Sequence, residues 1–177
     1  MILGKKLLGK VIGATEYIDI AGHQKVPAKI DTGADSSSIW VSNLKMKKDG
    51  KLSFTFFGEN SPYYTGEIIE TSKYLVRAIR SSYGDRQVRY LIKLPIRINH
   101  KEITTSFTLA NRERNDFPIL IGKNTLKEGG FVVDITKNAV NQQKRVKNTT
   151  LRHELKKNPS YFHRKYVKEQ FNTKGVA

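Results

Sequence analysis

The residues best suited to chemistry are Asp31, Thr32, Gly33 and Ala34, which follow the apolar run Val26–Ile30 and precede Asp35 and three serines. An aspartate set in a turn at the end of a strand can act as a general base toward a water molecule. Two such carboxylates within hydrogen-bond distance cannot both ionise cheaply, so they share one proton and titrate as a pair. The ionised member activates the water and the protonated member polarises the bond under attack. Thr32 would lock two such loops together through its hydroxyl, and Gly33 lets backbone approach where a side chain would collide. Asp-Thr-Gly occurs once in the 177 residues, and no internal repeat supplies another. If the chemistry uses such a pair, the second carboxylate comes from a second copy in a symmetric homodimer.

The elements that must position this loop read as strands. Val11-Ile12, Tyr17–Ile20 and Val26–Ile30 are short β-prone runs, with Ala21–Gln24 as the turn between the last two. Leu52–Phe57 alternates apolar and polar residues, and Gly58–Pro62 breaks it. Tyr74–Ile79 and Val88–Ile98 flank the polar stretch Arg80–Arg86, a hairpin tip. Ile103–Leu109, Phe117–Ile121 and Phe131–Ile135 follow, with one short helix over Lys123–Lys127. Many short strands separated by turn signals predict an all-β barrel or sandwich. The pattern changes after Ile135, which predicts a β domain over 1–136 and a C-terminal extension over 137–177. In the extension Asn158-Pro159 reads as a helix start, and Phe162, Tyr166 and Phe171 share a helical stripe.

The Asp31 loop, set on its strand and followed by Ala34, resembles the catalytic loop of retropepsins, the homodimeric aspartic peptidases of retroviruses. Pro118–Leu126 resembles the second signature of that family, an apolar strand that ends in Gly and enters a short helix. The resemblance implies that Ile121 and Gly122 support the loop and that Lys123 pairs with Asp35, where the family usually has Arg. Lys lacks the bidentate fork of Arg, so a looser contact is expected. The likeness narrows to a bacterial branch, the RimB-type retropepsin-like domains, also labelled putative ATP-dependent zinc proteases. It rests on Ala28–Ala34, Ser82-Tyr83-Gly84, Arg89–Ile92, Thr108–Arg112, Pro118–Gly122 and Phe131–Asp134, in the family's order, over about residues 9–136.

This resemblance implies a closed barrel that hydrolyses peptide or amide bonds with a water held between Asp31 and its copy, acting on a peptide or protein and needing no cofactor. It leaves two readings of the Ser81–Arg86 hairpin, which carries Ser82 and Gly84: a flap over bound peptide, or a plain surface hairpin. Arg89 and Arg112 either bind a carboxylate-bearing substrate or pair on the surface with Asp85, Glu113 or Asp116. Surface pairing is the favoured reading for Arg112, and Arg89 stays open. Members of the branch occur beside or fused to ATP-grasp amino-acid ligases. A non-catalytic accessory module on the same fold is therefore the alternative function.

Other patterns carry less. His153-Glu154 lacks the second histidine of a zinc-protease helix, so no metal site is expected. Gly4–Val11 approaches a phosphate-binding loop, but Val11 stands where a hydroxyl should hold magnesium and no strand precedes it. The four scattered histidines read as surface or packing residues, and Ser36–Ser38 as loop hydrogen bonding. No apolar run approaches the roughly 20 residues of a membrane helix, and the lysine-broken N-terminus is unlike a secretory signal. A cytoplasmic location is expected, or a periplasmic one if a leader has been trimmed away. The net charge is +16, and from Lys137 onward eleven basic residues face two acidic ones. Such a tail suits a weak contact with nucleic acid or an anionic surface, or simple solvation.

Overall fold

The structure is a computed structural model that describes residues 11–80, 86–140 and 149–166. The chain divides into two compact units, Met1–Val140 and Asn141–Ala177. The strands of the first are β1 (Val11–Ile20), β2 (His23–Ile30), β3 (Ser37–Met46), β4 (Leu52–Phe56), β5 (Ile68–Thr71), β6 (Leu75–Arg80), β7 (Arg86–Ile98), β8 (Lys101–Ala110), β9 (Ile119–Ile121) and β10 (Val132–Asn138). One helix, α1 (Lys123–Gly129), sits between β9 and β10. The unit is thus mostly β, as the strand-like periodicity predicts.

Ladder pairing runs β10-β1-β2-β9-β3-β8-β7-β6, with β4 and β5 branching from β3. β1 also pairs with β7 through Ile18–Ile20. The inward residues are the apolar alternates of these strands. Ile18, Val26, Ala28, Ile39, Ile98, Phe107, Ile119 and Ile121 are fully buried and form one cluster. Burying each of these side chains apart from Ala28 is worth about 1.5–3 kcal/mol. Two of the parallel pairings, β2 with β9 and β3 with β8, lie on either side of the Asp31 loop and bring its entry and exit beside distant sequence.

Two strands depart from the sequence expectation. β3 begins at Ser37, inside the serine run read as loop, and β5 follows a stretch with no apolar alternation. Serine is a poor strand former. Ser37 and Ser38 are nevertheless extended because β8 pairs with both and β9 pairs with Ser38 from the other side. The turn after β1 is shorter than expected, with His23 already in β2. Helix α1 extends two residues beyond Lys127 and stops at Gly130, whose left-handed φ of 58° lets its N–H reach back to the carbonyls of Leu126 and Lys127.

The second unit contains α2 (Thr149–Lys157) and α3 (Pro159–Tyr166). Asn158 caps α3 as expected: its Oδ1 accepts from Tyr161 N–H at 2.9 Å. The Phe162 and Tyr166 rings meet at 4.9 Å. Phe171, the Gly4–Lys10 part of the phosphate-loop-like stretch, and Ser82 and Gly84 of the hairpin tip lie outside the described residues. No helix among those described is long and apolar enough to cross a membrane.

Candidate active site

Asp31 is half-buried at the point where β2 leaves its ladder. Its backbone N–H still donates to Ile121 O at 2.9 Å. The chain then turns so that Gly33 N–H and Ala34 N–H both donate to Asp31 Oδ1, at 2.9 and 3.1 Å. An aspartate accepting from residues two and three ahead makes a self-contained turn, so carboxylate position and loop shape determine each other. A Cβ on Gly33 would lie 3.2 Å from that same oxygen. Thr32 and Gly33 at the tip are exposed.

Gly122 and α1 hold the loop from below. Ala34 O accepts from Lys123 N–H at 2.7 Å and Asp35 O from Asn124 N–H at 3.1 Å. The loop carbonyls thereby satisfy N–H groups that the first turn of a helix leaves unpaired. The approach is close enough that a Cβ on Gly122 would stand 2.7 Å from the Ser36 carbonyl. Gly122 N–H donates to Ser37 Oγ at 3.0 Å, and Ser37 Oγ meets Thr125 Oγ1 at 2.7 Å. Thr125 in turn meets Thr105 Oγ1 at 3.0 Å, and all three hydroxyls are buried.

Lys123 and Asp35 are brought together as the resemblance implies, Nζ to Oδ1 at 2.8 Å. Hydrogen bonding to Lys123 holds the Asp35 carboxyl below the ordinary aspartate range. The pair is solvent-exposed, and a surface pair of this kind contributes little to stability.

Arg112 corrects the surface reading. It is 9% exposed, and its partners are neither Glu113 nor Asp116. Its Nε donates to Phe117 O at 3.1 Å and its Nη1 to Ser38 Oγ at 2.8 Å. Burial, reinforced by the nearby Arg89 charge, lowers its pKa to about 10, while the Asp31 carboxylate pulls in the opposite direction. Arg112 therefore remains a cation at neutral pH and belongs to the electrostatic surroundings of Asp31. Arg89 donates to Gln87 Oε1 at 2.9 Å. It stands directly across the β6–β7 ladder from Arg77, which reaches Ser36 Oγ at 3.2 Å. The serines after Asp35 thus accept from Arg77, Gly122 and Arg112 in turn.

Sequence reasoning misses the contacts of the hydroxyl trio, and it singles out Arg112 but favours the surface for it. Thr105 carried a signal, since it alternates with Ile103, Phe107 and Leu109 on one strand face. Arg112 had no local signal, because its acceptors belong to a loop and to another strand. Among the described residues, no cluster of three or more His, Asp or Glu side chains could hold a metal ion. His23 packs edge-on against Phe56 and Phe57.

The family model for RimB-like proteins, described as the retropepsin-like aspartic endopeptidase RimB, matches residues 11–144. The chain belongs to this family. Two relatives are each named a probable alpha-L-glutamate ligase. That of Desulfotalea psychrophila is 24% identical over 131 residues, covering 71% of this chain. That of Shewanella pealeana is 28% identical over 129 residues, covering 69%. In both, the match spans 28% of the relative's length. The crystal structure of a Legionella pneumophila protein of unknown function shares the fold, with a TM-score of 0.54 and 24% identity. That match covers 72% of this chain and 95% of the other.

Proposed function

We propose that this protein is an aspartic peptidase that hydrolyses peptide or amide bonds with a water activated between Asp31 and the Asp31 of a second copy. The observation that carries this reading is the Asp31 turn, in which Gly33 and Ala34 both donate to Oδ1. With the backbone donors on one oxygen, Oδ2 is the oxygen that would share the dyad proton and face the water. One loop per chain requires a two-fold homodimer. The β1–β7 pairing supports reading the sheet as a closed barrel, a scaffold rigid enough to present such a loop. Thr32 and Gly33 at the tip are exposed, as a loop that must meet its copy requires. Arg112, Arg89 and Arg77 around this loop favour a substrate that carries carboxylates, because guanidinium matches that geometry. The glutamate ligases among the relatives point the same way.

A second reading has its own support. The segment matching this chain is a minor part of each ligase relative, which fits an accessory module serving a ligase without cleaving anything. Asp31→Asn separates the two. Loss of hydrolysis with unchanged sedimentation and melting supports the peptidase. Hydrolysis by Asp31→Asn at the wild-type rate, or by a strict monomer, overturns it.

A further inference from the structure

A cavity of about 730 Å³ lies apart from the Asp31 loop, and none of residues 31–38 lines it. Its walls include Phe54 and Phe56 of β4, Ile69 of β5, and Leu91, Ile92 and Leu94 of β7. This size and apolar character suit a bound organic group. Four charged side chains also line it: Glu67, Glu70, Lys73 and Lys93. Glu70 is paired with Lys47 at 2.7 Å, so the lining charges outside that ion pair are Lys73, Lys93 and Glu67.

The wall has a second feature. On one side β7 pairs with β8 along Leu91–Ile98. On the other it pairs with β6 only up to Leu91 and with β1 only from Ile96. Ile92–Pro95 therefore has no strand partner on that side among the described residues, and Ile92, Lys93 and Leu94 of this gap line the cavity. Backbone N–H and C=O groups at a free strand edge accept an added strand.

We propose that this cavity is a peptide-binding site separate from the Asp31 loop. An extended segment of a partner protein adds to the free edge of β7 at Ile92–Leu94 and seats one aromatic or branched apolar side chain between Phe54, Phe56 and Ile69. Acidic residues flanking that side chain meet Lys73 and Lys93.

The test uses the full chain carrying Asp31→Asn, so that no probe is cut, and a fluorescein-labelled Asp-Val-Phe-Val-Asp peptide followed by fluorescence anisotropy. Replacing the peptide's Phe by Ser removes a buried aromatic ring and is expected to weaken binding by about tenfold or more. N-methylation of the peptide backbone weakens it through loss of strand pairing. Ile69→Trp, which fills the cavity, abolishes binding. Lys93→Glu alters an exposed residue and keeps the test decisive if Ile69→Trp fails to fold; it is expected to weaken binding about threefold to tenfold. Equal binding of the Phe and Ser peptides, or full affinity in Lys93→Glu, overturns the proposal. So does a cavity that takes anilinonaphthalene sulfonate but no peptide, which would make it a small-molecule site. Because the readout is binding by an Asp31→Asn chain, its outcome is independent of whether Asp31 catalyses hydrolysis.

Discussion

Ser37 and Thr125 meet hydroxyl to hydroxyl at 2.7 Å although 88 residues separate them in the chain. The contact ties the strand leaving the Asp31 loop to the helix beneath it. Ser37 Oγ also accepts from Gly122 N–H, so Ser37→Ala strands a buried donor and is expected to cost about 1–3 kcal/mol. Thr125→Val removes the hydroxyl shared by Ser37 and Thr105 at similar cost. Urea unfolding measures both, and the double variant should lose less than the sum because the groups form one network.

Gly122→Ala places a methyl 2.7 Å from the Ser36 carbonyl, where backbone must yield. Overpacking of this kind costs about 1–3 kcal/mol, and the displaced segment is the Asp31 loop itself. Melting temperature should fall, and any hydrolytic activity should fall more steeply than stability alone explains.

Arg112→Lys keeps a charge but cannot reach both Phe117 O and Ser38 Oγ from one planar group. Destabilisation of about 1–3 kcal/mol is expected, read by denaturant titration. Arg112→Met should behave no better, whereas an arginine pairing on the surface would tolerate either change within about 0.5 kcal/mol.

His23 gives a pH dependence. Burial holds its pKa below the ordinary histidine value, against a smaller opposing pull from Glu67. The unfolded chain therefore binds a proton at a pH where the folded one does not, and stability rises with pH through that interval. Stability should be constant above the ordinary value, decline as pH falls from there to the folded pKa, and level off below it. An NMR titration of the imidazole locates the lower limit, and His23→Phe should remove this part of the slope.

How much of the site was legible follows from the range of each interaction. The Asp31 turn could be read from residues 26–35 because its hydrogen bonds close over two and three residues. The strand, glycine and helix of Pro118–Leu126 were legible as a local pattern, but their place beneath the loop came through family resemblance. The Lys123–Asp35 pair came only through family resemblance. The start of strand β3 was not legible, since Ser37 and Ser38 are extended by pairing with β8, and Ser38 also with β9, and not by their own propensity.

Beyond the glycine that family resemblance sets beneath the loop, the amino-acid sequence by itself determined a mostly β chain and a single aspartate turn. These depend on periodicity and on contacts between near neighbours. Tertiary structure alone decided that Arg112 is buried within electrostatic reach of Asp31, that Ser37 rests on Thr125, and that β4, β5 and β7 wall one cavity. Each of these joins groups far apart in the chain, and their partners exist only once β8, β9 and α1 have packed around the loop.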